Sequence, residues 1–283
     1  VTTPRDDDAL TLAARALAAA DALLVTAGAG MGVDSGLPDF RGDAGFWRAY
    51  PPFAERGLRF VDLANPRWFG DDPELAWGFY GHRLNLYRAT APHRGFAILL
   101  EWARAKPHGA FVFTSNVDGQ FQRAGFDPLR VVECHGAIET SQCAAPCGPA
   151  LWASSARVGV DPKTFRAAPP LPVCPRCGDV ARPNVLMFGD DGWIARRTDE
   201  QHARLRAWLR GVEGARARLV VLELGAGTAV PTVRLTSESL ARRLGGTLIR
   251  VNPREPEVPA AGIGLSMGAR EAIQAIERRR PSV

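Results

Sequence analysis

Residues 23–42 read LLVTAGAGMGVDSGLPDFRG, and this stretch decides the fold. Leu23, Leu24 and Val25 close an apolar run of the kind that makes a buried parallel strand, and Gly28-Ala29-Gly30 lets the backbone turn sharply out of it. Bare amides at a strand-to-helix turn, reinforced by the helix dipole, favour a negative charge, and a diphosphate is the usual guest. A dehydrogenase fingerprint would carry a third glycine where Val33 stands, and no clear crossover to an acidic ribose ligand comes after it. Ser35-Gly36-Leu37-Pro38 comes instead. Pro38 stops a helix within two turns of the glycines, which puts Asp39, Phe40 and Arg41 on a loop folded back over the dinucleotide site. An acid, an aromatic lid and a guanidinium there suit work on a nicotinamide ribose rather than storage of a cofactor.

Working outward, Asp6 to Asp8 followed by residues 9–20 predicts a helix, with acids at its start and Leu10, Ala13, Leu17 and Ala20 on one face. Over residues 46–88 the texture changes to aromatics and prolines, including Trp47, Tyr50, Phe53, Trp68, Trp77 and Phe79. This is too long for an ordinary loop, and 73–87 is helical in pattern, so a helical insertion capping the site is expected. Next come a helix over 96–106, a buried strand over 110–114 and a short strand over 129–133. Residues 141–182 are poor in periodicity and rich in Cys, Pro and Gly, as a separate module would be. The nucleotide-binding pattern then resumes with a strand over 219–224 ending in Gly225-Ala226-Gly227, a helix, a strand over 247–251 and a last helix over 269–278.

The chain has 283 residues, enough for one large α/β domain with a smaller insertion or for two modest domains. Hydrophobic residues make up 46% and charged residues 23%, so a packed core rather than disorder is expected. No run has the length of a membrane span, and VTTPRDDDAL lacks the basic start and apolar core of a signal peptide; a cytoplasmic protein is the expectation. The net charge of +5 is carried almost entirely by scattered arginines, with one tight cluster at Arg278, Arg279 and Arg280. That pattern does not point to nucleic acid, and the charge favours attraction to anionic cofactors or acidic proteins instead.

Thr114-Ser115-Asn116-Val117-Asp118-Gly119 lies just past the end of a strand, where ligands collect in open α/β sheets, although Asn and Asp also favour plain turns there. His135-Gly136 succeeds the next strand in the same way. Cys143-x3-Cys147, then 26 residues, then Cys174-x2-Cys177 offers four soft ligands on two short knuckles, which predicts structural zinc. Four thiolates leave no open position, so that metal would hold the module together and not catalyse. Cys134 is the odd cysteine and reads as a small buried residue.

Taken together, GAG, then SG, then PDFRG, then NVD, His-Gly and the paired cysteines resemble the sirtuins, the NAD-dependent protein lysine deacylases, over nearly the whole chain. The resemblance implies a Rossmann-like parallel sheet at residues 1–45, 91–140 and 183–283, a helical insertion at 46–90 and a zinc-binding module at 141–182. It implies that Gly28, Ala29, Gly30, Asp39, Phe40, Arg41, Ser115, Asn116, Asp118, Gly225, Gly227 and Asn252 contact NAD, that Asn116 helps catalysis, and that His135 is the general base. RPNVLMFGD at 182–190 is similar to the family's peptide-binding stretch, so Val185, Phe188 and Gly189 would meet an acylated lysine peptide paired edge to edge. Phe79-Tyr80-Gly81-His82-Arg83 is similar to the FYxxR pattern of members that remove succinyl, malonyl or glutaryl groups. Tyr80 and Arg83, one helical turn apart, would there grip a carboxylate, while a structural Tyr–Arg pair is the plain alternative. Three departures touch the cofactor side: Gly32 for the family's Ser, Ser115 for its Gln, and Gly225-Ala226-Gly227-Thr228-Ala229-Val230-Pro231 for its GTSL and a later Pro. They keep open a mono-ADP-ribosyltransferase or NAD hydrolase on the same fold.

Overall fold

The computed structural model describes residues 4–38, 46, 50–55, 57–145, 147–155 and 157–280, with the backbone alone for 4–6. Nine strands run through it: β1 Ala22–Ala27, β2 Ala110–Thr114, β3 Val131–Glu133, β4 Gly136–Cys143, β5 Trp152–Ala153, β6 Ala181–Val185, β7 Leu219–Leu224, β8 Thr247–Val251 and β9 Ile263–Leu265. Six of them form one sheet in the order β3-β2-β1-β7-β8-β9. Every pairing in it is parallel. All six residues of β1 and of β7 are buried, because helices cover both faces.

Side-chain alternation divides the two faces. Leu23 and Val25 join Val112, Leu222 and Ile249 under the helices Pro4–Ala19, Arg94–Arg104 and Ala269–Glu277. Ala22 and Leu24 join Phe111, Phe113 and Val221 under Arg196–Gly214 and Thr232–Leu244. From β1 the chain steps outward through β2 to β3, then returns to β7 on the other side of β1. The connections leaving β1 and β7 therefore run to opposite sides of the sheet, the switch point at whose carboxyl-end crevice ligands collect in sheets of this kind.

The second sheet is antiparallel, in the order β5-β4-β6. Helices Pro51–Glu55, Phe60–Leu63, Trp68–Asp71 and Pro73–Ala89 form the helical insertion around an aromatic cluster that includes Phe46, Tyr50, Phe53, Trp77 and Phe79. Asp72 starts the longest of them by accepting a hydrogen bond from the Leu75 amide at 3.1 Å, with Pro73 in the first turn. This helix lies hard against the cysteine-bearing segment: a Cβ on Gly78 would fall 1.8 Å from the Phe165 carbonyl oxygen, and one on Gly81 2.5 Å from Val158 Cγ1. Asn85 Nδ2 donates to the Val158 carbonyl at 2.8 Å across the same contact.

The strands expected at 110–114, 219–224 and 247–251 occupy those residues. The strand expected at 129–133 is shorter. Asp127 accepts from the Leu129 amide at 2.9 Å and starts a 3-10 turn, Pro128–Arg130, so β3 begins only at Val131. Helix Arg196–Gly214 and strand β9 have no counterpart in the sequence expectations. Among the described residues, no helix is long and apolar enough to cross a membrane.

Candidate functional site

Two glycine turns meet at the head of the crevice. Gly30 N donates to the Gly225 carbonyl at 3.0 Å and Gly28 N to the Leu224 carbonyl at 3.0 Å. A Cβ on Gly28 would lie 2.8 Å from Ala226 Cα, and one on Gly225, whose φ is +61°, 2.5 Å from Gly30 Cα. No side chain fits between them, so the two turns pack backbone to backbone and the Gly28 and Gly30 amides are spent on that contact. Ala29 leads straight into the one-turn helix Gly30–Val33. Gly227 lies on the open side of the second turn, where its nearest neighbour is the Glu255 carboxylate.

Asn252 is fully buried and spends its side chain on this scaffold. Its Nδ2 donates to the Ala226 carbonyl at 2.8 Å, and its Oδ1 accepts from the amides of Arg254 and Glu255 at 3.0 and 3.1 Å. It thereby supports the second glycine turn from beneath. Asp39, Phe40 and Arg41 lie outside the described residues.

The segment after β2 is tied to the first turn. Ser115 N donates to the Ala27 carbonyl at 3.1 Å, and Asn116 Nδ2 donates to the Gly28 carbonyl at 3.0 Å. Asn116 is only partly buried. Asp118 is buried, accepts from the Gln120 amide at 2.9 Å, and has its carboxyl pushed up to about 6 by that burial. Gly32 faces it: a Cβ there would stand 3.7 Å from Asp118 Oδ2, so the missing serine hydroxyl is missing from beside this carboxylate.

His135 comes after β3 at the same end of the sheet. Cys134 N donates to the Thr114 carbonyl and the His135 carbonyl accepts from Leu186 N, both at 2.9 Å, so backbone on each side fixes the residue. Gly136, at φ +80°, continues directly into β4, and a Cβ on it would meet the Asn184 carbonyl oxygen at 2.0 Å. Burial holds the imidazole below its ordinary value, so it is neutral and able to accept a proton at neutral pH. Helix Arg196–Gly214 anchors the strand below: Gln201 Oε1 accepts from Glu133 N at 3.0 Å, Thr198 Oγ1 donates to the Glu133 carbonyl at 3.2 Å, and Arg197 pairs with the Glu133 carboxylate.

On the other wall, β6 is an edge strand whose Val185 is buried. From Leu186 the chain leaves the sheet, and Phe188 N donates to the Ala64 carbonyl at 2.8 Å, joining this stretch to the helical insertion. Phe188 is exposed, and Gly189 takes φ +66° with open space around it. Asp190 is committed inside the protein, in a two-pronged pair with Arg182 at 2.7 Å. Tyr80 and Arg83 are both buried. Arg83 donates to the Tyr87 hydroxyl at 3.0 and 2.8 Å, and its guanidinium carbon lies 5.3 to 5.8 Å from the ring centroids of Phe60, Phe79, Tyr80 and Tyr87. Among the described residues the buried Tyr80 hydroxyl has no hydrogen-bond partner. A cation and an unmet hydroxyl thus share an aromatic cage.

Cys143, Cys147, Cys174 and Cys177 bring their sulfurs within 4.8 Å of one another, with the closest pairs at 3.6 and 3.7 Å. Four thiolates on a tetrahedral zinc at about 2.3 Å would stand roughly 3.8 Å apart, so the four sulfurs fit that ion. Cys134 is buried, and burial pushes its thiol up to about 12.

Other residues of the site carry no clear signal in the sequence. His93 Nδ1 accepts from Gly95 N at 3.0 Å, so its proton sits on Nε2, which donates to the Met31 carbonyl at 3.0 Å behind the first glycine turn. His93 N donates to Ser35 Oγ at 3.0 Å, and Ser35 reaches Gln120. Glu255 accepts from Thr228 N at 3.2 Å and from Thr228 Oγ1 at 2.6 Å beside the second turn. A histidine two residues before a helical glycine is the one pattern that points to the first of these.

The Sir2 family model matches residues 28–203. An NAD-dependent protein deacylase of Aeropyrum pernix is 33% identical over 278 residues, spanning 94% of this chain and 95% of that protein. NAD-dependent protein deacylase 1 of Archaeoglobus fulgidus is 30% identical over 257 residues, 90% of this chain and 91% of that protein. Among solved structures, a Sir2 homolog–NAD complex superposes with a TM-score of 0.71 at 28% identity, covering 95% of this chain and 93% of that one.

Proposed function

This chain belongs to the Sir2 family, and we infer on that footing that it removes acyl groups from protein lysines with consumption of NAD, giving nicotinamide and O-acyl-ADP-ribose. One observation carries the reading. The Asn116 amide donates to the Gly28 carbonyl and the Cys134 amide to the Thr114 carbonyl. Residues from three separate stretches of sequence therefore stand together at the carboxyl ends of β1, β2 and β3.

NAD, when bound, supplies the electrophilic ribose carbon. The Gly28-Ala29-Gly30 and Gly225-Ala226-Gly227 turns hold its phosphates, and Ser115, Asn116 and Asp118 position the nicotinamide half. His135, neutral and fixed by backbone on both sides, takes the proton from the ribose hydroxyl. Asp39, Phe40 and Arg41 keep the role that the resemblance gives them, over the nicotinamide ribose. Val185, Phe188 and Gly189 receive the substrate peptide along the free edge of β6, and Tyr80 and Arg83 bind an acyl chain that ends in a carboxylate. The division into residues 1–45, 91–140 and 183–283, 46–90, and 141–182 belongs to the same reading, with zinc on Cys143, Cys147, Cys174 and Cys177 stiffening the last unit.

The test is incubation of an acetyl-lysine peptide with NAD, followed by mass spectrometry. The expected result is deacylated peptide and O-acetyl-ADP-ribose in equal amounts from the native protein and neither from His135→Ala. Peptide left acetylated while NAD is consumed would overturn the reading.

A further inference from the structure

Helix Arg196–Gly214 also forms one wall of a cavity of about 520 Å³ that the catalytic end of the sheet does not use. His108, Phe111, Asp127, Arg130, Arg204 and Trp208 line it. These residues stand at the amino ends of β2 and β3, the opposite end of the strands from Asn116 and His135. The volume lies within the range of small-molecule sites.

The floor is aromatic. The rings of Phe111 and Trp208 have centroids 5.7 Å apart at 41°. Trp208 Nε1 donates to the His108 carbonyl at 2.8 Å, which fixes the indole against the chain entering β2. The rim is cationic. The Arg130 guanidinium lies 5.8 Å from the Phe111 centroid, and Arg204 Nε is buried with no hydrogen-bond partner among the described residues. Among the described residues neither arginine makes an ion pair, whereas Arg182 and Arg250 pair with carboxylates and Arg234 is tied to carbonyls. An unpartnered buried N–H marks a demand that the protein itself leaves unmet.

Charge selects the ligand further. Two arginines face one carboxylate, Asp127, which is occupied by the Leu129 amide at 2.9 Å. One positive charge is left over when His108 is neutral. That balance suits a single negative charge rather than a phosphate dianion, and a guanidinium forks onto a carboxylate well. We propose that this cavity is a second ligand site, separate from the NAD and acyl-lysine cleft, that takes a small planar aromatic monocarboxylate.

The test titrates 2-naphthoate into nitrogen-15-labelled full-length protein and tracks the Trp208 indole N–H, assigned by its loss in Trp208→Phe. A saturable shift of that resonance is expected, with binding about tenfold weaker in Arg204→Gln and in Arg130→Gln and about tenfold weaker for the uncharged 2-naphthamide. Arg130 is exposed, so its variant keeps the test decisive if Arg204→Gln fails to fold. Saturating NAD should leave the shift in place. Absence of a saturable shift, equal affinity in the folded arginine variants, equal affinity for the amide, or displacement by NAD would each overturn the proposal.

Discussion

Gly225→Ala is the sharpest perturbation of the cofactor crevice. The residue takes φ +61°, where a side chain costs about 1–2 kcal/mol. Its new methyl would also sit 2.5 Å from both Cα and C of Gly30 and 2.6 Å from the Met31 amide nitrogen. Those are backbone atoms that cannot rotate away, so one turn must shift, at about 1–3 kcal/mol for an overpacked contact. The sum is roughly 2–5 kcal/mol, or a fall in Tm of about 3–8 °C for a chain of this size. Gly28→Ala meets Ala226 Cα and the Gly225 oxygen at 2.8 Å without the positive φ, and should cost less. Gly211→Ala, helical with nothing within 4 Å, should be neutral or stabilising by up to about 1 kcal/mol. Thermal unfolding of the three variants, with NAD affinity by calorimetry, checks the order. If Gly225→Ala melts with the native protein and binds NAD as tightly, the two turns do not press on each other and the reasoning fails.

Removing the metal should unfold the cysteine-bearing segment: one zinc per chain by elemental analysis, lost in Cys174→Ser together with several degrees of Tm, is the expected outcome. Asp118, with its carboxyl raised to about 6, holds a proton more tightly folded than unfolded, so its own contribution to stability is greatest below about pH 4 and declines as pH rises through 6. The full penalty is roughly 3 kcal/mol; Asp118→Asn should abolish this slope in denaturant titrations from pH 4 to 7, and Gly32→Ser, by offering a hydroxyl beside Oδ2, should flatten it. For His135, burial lowers the imidazole, so the acid limb of kcat/KM should fall below pH 6.5; a limb above 7 would contradict the assignment. Arg83→Met should lower kcat/KM for succinyl-lysine by about 10- to 100-fold, the range of one charge-assisted hydrogen bond, and leave acetyl-lysine within a few fold.

How far the sequence foretells this molecule depends on where each signal resides. β1 and β7 are buried along their length because both faces are covered, and apart from Thr26 and Glu223 they are apolar, so composition alone exposes them. The cysteine knuckles are equally plain, since each pair closes over three or two residues. Helix Arg196–Gly214 is not, because its buried face runs Thr198, Gln201, Leu205, Trp208, Leu209 and Val212. The spacing is helical, but two positions are polar since they hold the backbone of Glu133, and that breaks the apolar stripe. β9 has three residues, one of them Gly264, too short for any periodicity. The glycines announce a tight turn after β1 and another after β7, yet their packing on one another is a tertiary fact. Asn252 shows the same limit: its residue type announces a polar role, and only burial reveals that its partners are Ala226, Arg254 and Glu255. Tyr80 and Arg83 are legible as neighbours on a helix, while the aromatic cage around them draws on Phe60, from a separate helix of the insertion.

The most direct measurement is nicotinamide release from NAD with one peptide offered in acetyl-lysine, succinyl-lysine and unmodified forms. Release that requires an acyl group and matches peptide deacylation mole for mole is the predicted result. Equal release with the unmodified peptide, leaving ADP-ribose on protein or free in solution, would contradict it and make the chain a transferase or hydrolase of NAD.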